Sequence, residues 1–288
     1  MHKFATIKDY YSLLKPGVMS LIVFTGIAGF IVAEGDKNIY LMSITLLAIS
    51  LASGGAAALN MWYDNDIDKI MTRTKNRPLP LGKILPDDAL AYGIILCIIA
   101  LILIFLSSNL LSAAILLIAI SFYVFIYTIW LKRRTSQNIV IGGAAGAFPP
   151  LISYVSVTNV ISLEAILMFS IIFLWTPPHF WALALYRNED YKKANIPMLP
   201  VVKGVAKTLN QIVLYSILMI SSTYVLYFYS AKLEIIYLSA TSLANVIFIY
   251  YLVKLVKKPN KKTSIKTFIY SIFYLFIIFG AIIIDAFM

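Results

Sequence analysis

The chain of 288 residues holds one cysteine, Cys97, and only two histidines. A single cysteine excludes a disulfide scaffold and any Cys-x-x-Cys metal or redox motif. No P-loop, nucleophile elbow or haem-attachment Cys-x-x-Cys-His is present. Charge is also scarce, at 13% of residues, where a soluble domain carries roughly a quarter. No long hydrophilic block remains to form a separate soluble unit, so residues 1–288 read as a single domain. What fills the chain instead is apolar: 61% hydrophobic residues and a mean hydropathy of +0.87. That composition excludes a disordered chain. The net charge of +11 would suggest nucleic acid in a soluble protein. Here it poses a different question, namely where the charges lie relative to a bilayer.

Apolar runs long enough to span, roughly 17–25 residues, recur at 17–33, 39–63, 89–107, 110–131, 139–157, 162–186, 208–230, 235–254 and 266–287. They are continuous rather than alternating, which favours helices over a β-barrel. The fold expected is an all-α integral membrane protein of nine spans. With the N-terminus cytoplasmic, 22 basic residues fall on the inside and only Lys37 and Lys232 outside. Such a split is a positive-inside signal, and one missed helix would scramble it. The first residues, MHKFATIKDYYSLLKPG, do not read as a cleaved signal, because the apolar run after them continues as a full span. Nor do they read as a mitochondrial presequence. Phe4, Ile7, Tyr11 and Leu14 recur at helical spacing, as in an interfacial amphipathic helix. The expected location is a bacterial cytoplasmic (inner) membrane, crossed many times.

The sharpest feature ends the second span: Asn60-Met-Trp-Tyr-Asp64-Asn-Asp66-Ile-Asp68. Residues four apart share a helix face, so Asn60, Asp64 and Asp68 form one polar stripe at the membrane boundary. Mg²⁺ takes oxygen ligands, often one or two carboxylates plus substrate phosphates. The alternative is a solvated acidic loop. Asp66 lies about 200° round the helix from Asp64, facing either a second metal or water. Arg73, Lys75 and Arg77 follow directly, and basic groups beside such acids suit a diphosphate. Lys132, Arg133 and Arg134 form a second basic cluster, Arg187 with Asp190 a third charged group. Each of these cations also has a plain topological reading.

The sixth span ends Trp175-Thr-Pro-Pro-His179-Phe180-Trp181. Two prolines remove backbone donors and predict a kink. His179 lies about two turns, roughly 12 Å, inside the Arg187 boundary. A histidine at that depth is a functional candidate, or else a hydrogen-bonded packing residue. Trp175, Phe180 and Trp181 could line an isoprenoid or macrocycle pocket, or sit as interfacial aromatics. Gly142, Gly143 and Gly146 permit close helix packing, and Gly54 and Gly55 do the same or make room for a flat ligand.

On these residues the chain resembles the UbiA-type superfamily of intramembrane aromatic prenyltransferases, and within it the haem-modifying branch. The blocks that carry the resemblance are NMWYDNDIDKIMTRTKNRPLP, KRRTSQNIVIGGAAGAFPPLI and TPPHFWALALYRNEDYKKANIPMLPVVKG. It implies nine helices around a central cavity, and transfer of a farnesyl group from farnesyl diphosphate to a vinyl group of haem B, giving haem O. It implies Mg²⁺ on Asn60, Asp64 and Asp68, with Asp64, Asp68, Lys75 and Arg77 catalytic. Arg73, Lys132, Arg133, Arg134, Arg187 and Asp190 would contact diphosphate. His179, Trp175, Phe180 and Trp181 would form the haem and isoprenoid pocket. Haem A synthase or a terminal oxidase would be the protein partner, the bilayer the medium, and nucleic acid no partner. A quinone precursor or a chlorin as acceptor, or a cation-coupled transporter, are the alternatives. Two departures stand out. The superfamily's second motif, Asp-x-x-x-Asp, is matched at Asp190 alone, with Ala194 at the second position. The branch's Lys-Pro-Arg reads Lys15-Pro16-Gly17 here.

Overall fold

The computed structural model describes residues 5–288, so Phe4 lies outside the described residues. The elements are all helical: α1 (Ile7–Leu13), α2 (Pro16–Val32), α3 (Ile39–Tyr63), α4 (Asn65–Ile70), α5 (Pro86–Ser107), α6 (Leu110–Ser121), α7 (Asn138–Thr158), α8 (Leu163–Tyr186), α9 (Asn188–Lys193), α10 (Leu199–Tyr229), α11 (Ile235–Lys257) and α12 (Lys261–Phe287). Between α6 and α7 the chain continues as a π-helix, Phe122–Leu131. Among the described residues, eight helical segments are long and apolar enough to cross a membrane by themselves, and α1 with α2, bent by 54°, would make a ninth as one broken span. Because continuous apolarity is a local signal, the sequence runs and the helices agree within a few residues, save that α10 begins at Leu199 rather than near 208.

The bundle is apolar on its outside as well as its inside, as a bilayer requires. Along α5, for example, Ile94, Ile98, Ile102, Phe105 and Leu106 are exposed, while Gly93, Cys97, Ala100 and Ile104 face inward. Large residues thus go to lipid and small ones to the helix contact, where close approach gains van der Waals packing. Gly55 on α3 shows why: a Cβ there would sit 2.8 Å from both Cys97 Sγ and the Gly93 carbonyl. Gly142 on α7 does the same for the π-helix, since a Cβ would come within 2.1 Å of the Tyr127 ring. These close contacts support the packing reading at Gly55 and Gly142.

α8 carries Pro177 and Pro178, the residues for which a kink is expected, inside one continuous helical segment. The Thr176 hydroxyl donates to the Ile172 carbonyl at 2.8 Å. A break in helical geometry occurs in α10, at Gly204 with φ +76°, a left-handed backbone that glycine adopts without a Cβ clash. In α1 the polarity of the faces is also informative. Ile7 and Tyr11 are exposed, whereas Leu13 is buried against Ala58, Met61, Leu79 and Ile84. The apolar stripe faces out, as an interfacial helix requires.

Candidate active site

The site begins where α3 ends. Asp64 leaves helical geometry (φ −90°, ψ 10°), and α4 starts at the next residue. The expected single helix is therefore broken at Asp64, yet the four-residue backbone ladder survives. Asp64 N donates to Asn60 O at 3.0 Å and Asp68 N to Asp64 O at 2.8 Å. Asn60, Asp64 and Asp68 consequently keep one face, and all three are buried. Asp66 points elsewhere: it is exposed and forms a two-pronged pair with Arg133, both contacts at 2.7 Å. Those hydrogen bonds hold its carboxyl below the usual range and push the guanidinium up. Of the two readings of Asp66, the geometry places it on the water side.

Cations from three other elements converge on the stripe. Arg77 Nη1 lies 2.5 Å from Asp68 Oδ2. Lys132, at the end of the π-helix, pairs with Asp64 Oδ2, and Arg133 Nη2 stands 3.5 Å from Asp64 Oδ1. Lys15, held at φ +51° between α1 and α2, donates to Asn60 Oδ1 at 2.9 Å. The Asn60 amide nitrogen bonds Asp64 Oδ2 at 2.7 Å and Thr128 Oγ1 at 3.2 Å. Each carboxylate is therefore buried with a partner, as a low-dielectric site demands.

The charged group opens into a cavity of about 480 Å³, within the range of small-molecule sites. Asn60, Asp68, Arg73, Arg77, Lys132 and Lys15 line its charged end, with Asp64 one layer behind. Its deeper wall is aromatic and apolar. His179 stacks on Trp175 (centroids 4.2 Å, 22°), meets Phe180 edge-on and approaches the Phe268 ring at 4.6 Å. Its Nδ1 is 2.6 Å from Ser271 Oγ, and the Trp175 indole donates to the Ser271 carbonyl at 2.7 Å. At Gly17 and Gly146 on the wall, a Cβ would meet nothing within 4 Å, which leaves open space for a flat or branched ligand.

Several sequence candidates lie elsewhere. Trp181 points away from the cavity and is fully buried among Leu199, Leu209, Ile212, Leu252 and Leu255. It is a packing residue between α8, α10 and α11, because two residues from His179 is about 200° of helix rotation. Lys75 and Arg134 are exposed and do not line the cavity. Arg187 and Asp190 pair weakly with each other at 3.8 Å and also stand outside it. Ala194, where a second carboxylate would sit, is buried in an apolar cluster with Ile67, Met71, Tyr191, Ile196 and Met198. Sequence reasoning missed Tyr123, Tyr127, Thr128 and Ser271. The two tyrosines, four apart within a span, were the one local signal available.

The donor set suits a hard cation held jointly with a substrate. Among the described residues no three His, Cys, Asp or Glu side chains form a metal cage. Two carboxylates and one amide are nonetheless what Mg²⁺ uses when phosphates complete its shell. Asp64 Oδ1, buried and without a hydrogen bond, offers a free lone pair.

Comparison with known proteins places this geometry. A protoheme IX farnesyltransferase of Rickettsia akari (strain Hartford) is 49% identical over 279 residues, covering 96% of this chain and 91% of the relative. A structure of digeranylgeranylglyceryl phosphate synthase superposes with a TM-score of 0.80 at 22% identity, covering 97% of this chain and 98% of that one. A UbiA homolog from Archaeoglobus fulgidus bound to DMAPP and Mg²⁺ superposes with a TM-score of 0.70 at 17% identity, over 95% and 99%. The family described as UbiA prenyltransferase matches residues 21–278. With eight or nine membrane-crossing helices, a carboxylate stripe and a buried cavity in the corresponding fold, the chain is a multi-pass membrane protein that belongs to the UbiA prenyltransferase family.

Proposed function

We propose that the chain transfers the farnesyl group of farnesyl diphosphate to a vinyl group of haem B, giving haem O and diphosphate. The observation that carries this is the pairing of one buried carboxylate stripe, ringed by cations, with an aromatic-walled cavity behind it. The name of the 49%-identical Rickettsia relative supports haem as acceptor. The A. fulgidus homolog, bound to DMAPP and Mg²⁺, supports Mg²⁺ as the ion that Asn60, Asp64 and Asp68 hold here. When bound, that ion supplies charge that stabilises the departing diphosphate.

The chain's own residues do the rest. Arg77, Lys132 and Arg73 stand at the charged end, where they meet the leaving group as negative charge builds on it. The allylic C–O bond breaks, its electrons leaving with the diphosphate. The vinyl group's π electrons form the new C–C bond, and water adds to the resulting cation as hydroxyl while releasing a proton. Apolar residues such as Leu21, Ile22, Ile152 and Leu275 line the remaining wall and exclude other water from the first cation. His179, Trp175, Phe180 and Phe268 offer ring faces and edges to a porphyrin. The 288 residues act as one catalytic unit, with the charged end toward the cytoplasm of a bacterial inner membrane. Haem A synthase or a terminal oxidase would receive the product.

The test is expression in a host that lacks haem O, followed by haem extraction and mass analysis. A new haem heavier by a farnesyl group plus a hydroxyl group is expected, and chelation of divalent ions should stop its formation in isolated membranes. Farnesylation of a quinone precursor or chlorin instead, with haem untouched, would sink the assignment.

A further inference from the structure

A second concavity, of about 390 Å³, lies at the base of α10. Ser136 and Gln137, from the segment after the π-helix, form one side. Lys203, Lys207, Asn210 and Gln211 form the other, over the buried Leu199. It is separate from the prenyl-transfer cavity, whose wall uses the neighbouring residues Asn138, Ile139 and Met198. The break at Gly204 (φ +76°) lies between the two lysines, and both line the same groove.

The six polar side chains share one property. Among the described residues, none has a hydrogen-bond or ion-pair partner in the protein, although Asn138 and Asp190 nearby do. Topology alone explains cationic residues at this end. It does not explain two amides on the outside of a span, where an unpaired polar group in lipid is costly. No carboxylate lines the groove, so its formal charge is +2. Further along the same helix, one and two turns beyond Gln211, Leu214 and Leu218 are exposed. The face of α10 therefore grades from ammonium groups to amides to bare hydrocarbon. That is the order of phosphate, glycerol ester and acyl chain in a phospholipid.

We propose that this groove binds the phosphate and glycerol region of an anionic phospholipid, with the acyl chains lying along Leu214 and Leu218. Lys203 and Lys207 meet the phosphate; Asn210, Gln211 and Gln137 donate to ester or headgroup oxygens. The chemistry recognised is a phosphate anion, and the source is the lipid rather than free phosphate.

The full chain, purified in detergent, would be given phosphatidylglycerol or phosphatidylcholine, and retained lipid counted by native mass spectrometry. Wild type should retain phosphatidylglycerol preferentially, and K203Q/K207Q should lose affinity about thirtyfold, the expectation for two lysines at a membrane surface. Asn210→Leu, which makes the lipid-facing surface more apolar and so favours insertion, should still weaken retention about fivefold, the value of one hydrogen bond. Equal retention of phosphatidylcholine would overturn the proposal, as would unchanged retention by either variant. Displacement of the lipid by millimolar inorganic phosphate would overturn the lipid as source. Prenyl transfer by K203Q/K207Q in detergent should match wild type, because neither lysine touches the catalytic cavity.

Discussion

The two ends of the bundle use the same charged groups in opposite ways. At the end remote from the carboxylate stripe, charges close off helix termini. Asp285 of α12 accepts from the backbone N–H groups of Glu234 and Tyr237 at 2.6 and 2.9 Å, capping α11 from a distance. Lys37 and Lys232 donate to the Ile31 and Val32 carbonyls at the end of α2. Asn38, Asn109 and Ser162 cap α3, α6 and α8 with their own side chains. Every one of these contacts satisfies a backbone group that the helix itself leaves unpaired. At the other end, Asp64 and Asp68 bond side chains brought from other elements, with Asp68 lining a cavity and Asp64 one layer behind it. A charge that caps a helix is spent on the fold. A carboxylate stripe met by cations from three elements is available for a ligand.

That contrast is open to attack by substitution. The largest effect expected is for Asp64→Asn, which keeps the shape but removes the charge: haem O formation should fall about a thousandfold. Thermal unfolding in detergent should also shift down, because Lys132 and Arg133 lose a buried partner, and normal turnover would remove Asp64 from the metal site. Arg77→Gln should cost about a hundredfold in kcat, with the loss in rate rather than in haem affinity. For His179→Ala, about a tenfold rise in the KM for haem is expected, with the KM for farnesyl diphosphate unmoved. Unchanged haem kinetics would make it a packing histidine. Asp285→Asn inverts the pattern, with turnover within about twofold and stability lower by about 1–3 kcal/mol, since it weakens two charge-assisted caps. A selective loss of rate there would erase the distinction between the ends. Smallest of all, Lys75→Ala should leave rate and stability within about twofold, as expected for an exposed side chain without a partner.

The local patterns were legible in the residues. The nine apolar runs map onto the helices because a bilayer demands uninterrupted apolarity over a fixed length. Asn60, Asp64 and Asp68 were readable as one stripe because four-residue spacing survives even the break at Asp64. His179 was readable from its depth alone. The failures concern direction and distance. Within TPPHFW, His179 faces the cavity and Trp181 the opposite side, yet both are aromatic residues in one span. Among neighbouring cations, Arg77 reaches Asp68 whereas Lys75 is exposed and stands outside the cavity. The choice depends on how the loop after α4 turns back.

The residues by themselves determined that this chain is a multi-span helical membrane protein with its basic groups gathered at one end. Hydropathy, charge asymmetry and helical period are properties of a segment and its solvent. The tertiary structure decided which charges serve chemistry and which serve the fold. It brought Lys15 and Thr128 to Asn60, and Lys132 to Asp64, across 45 to 68 residues of chain and filled the Ala194 position with apolar packing. Such contacts arise only when separate helices meet, and no segment contains them.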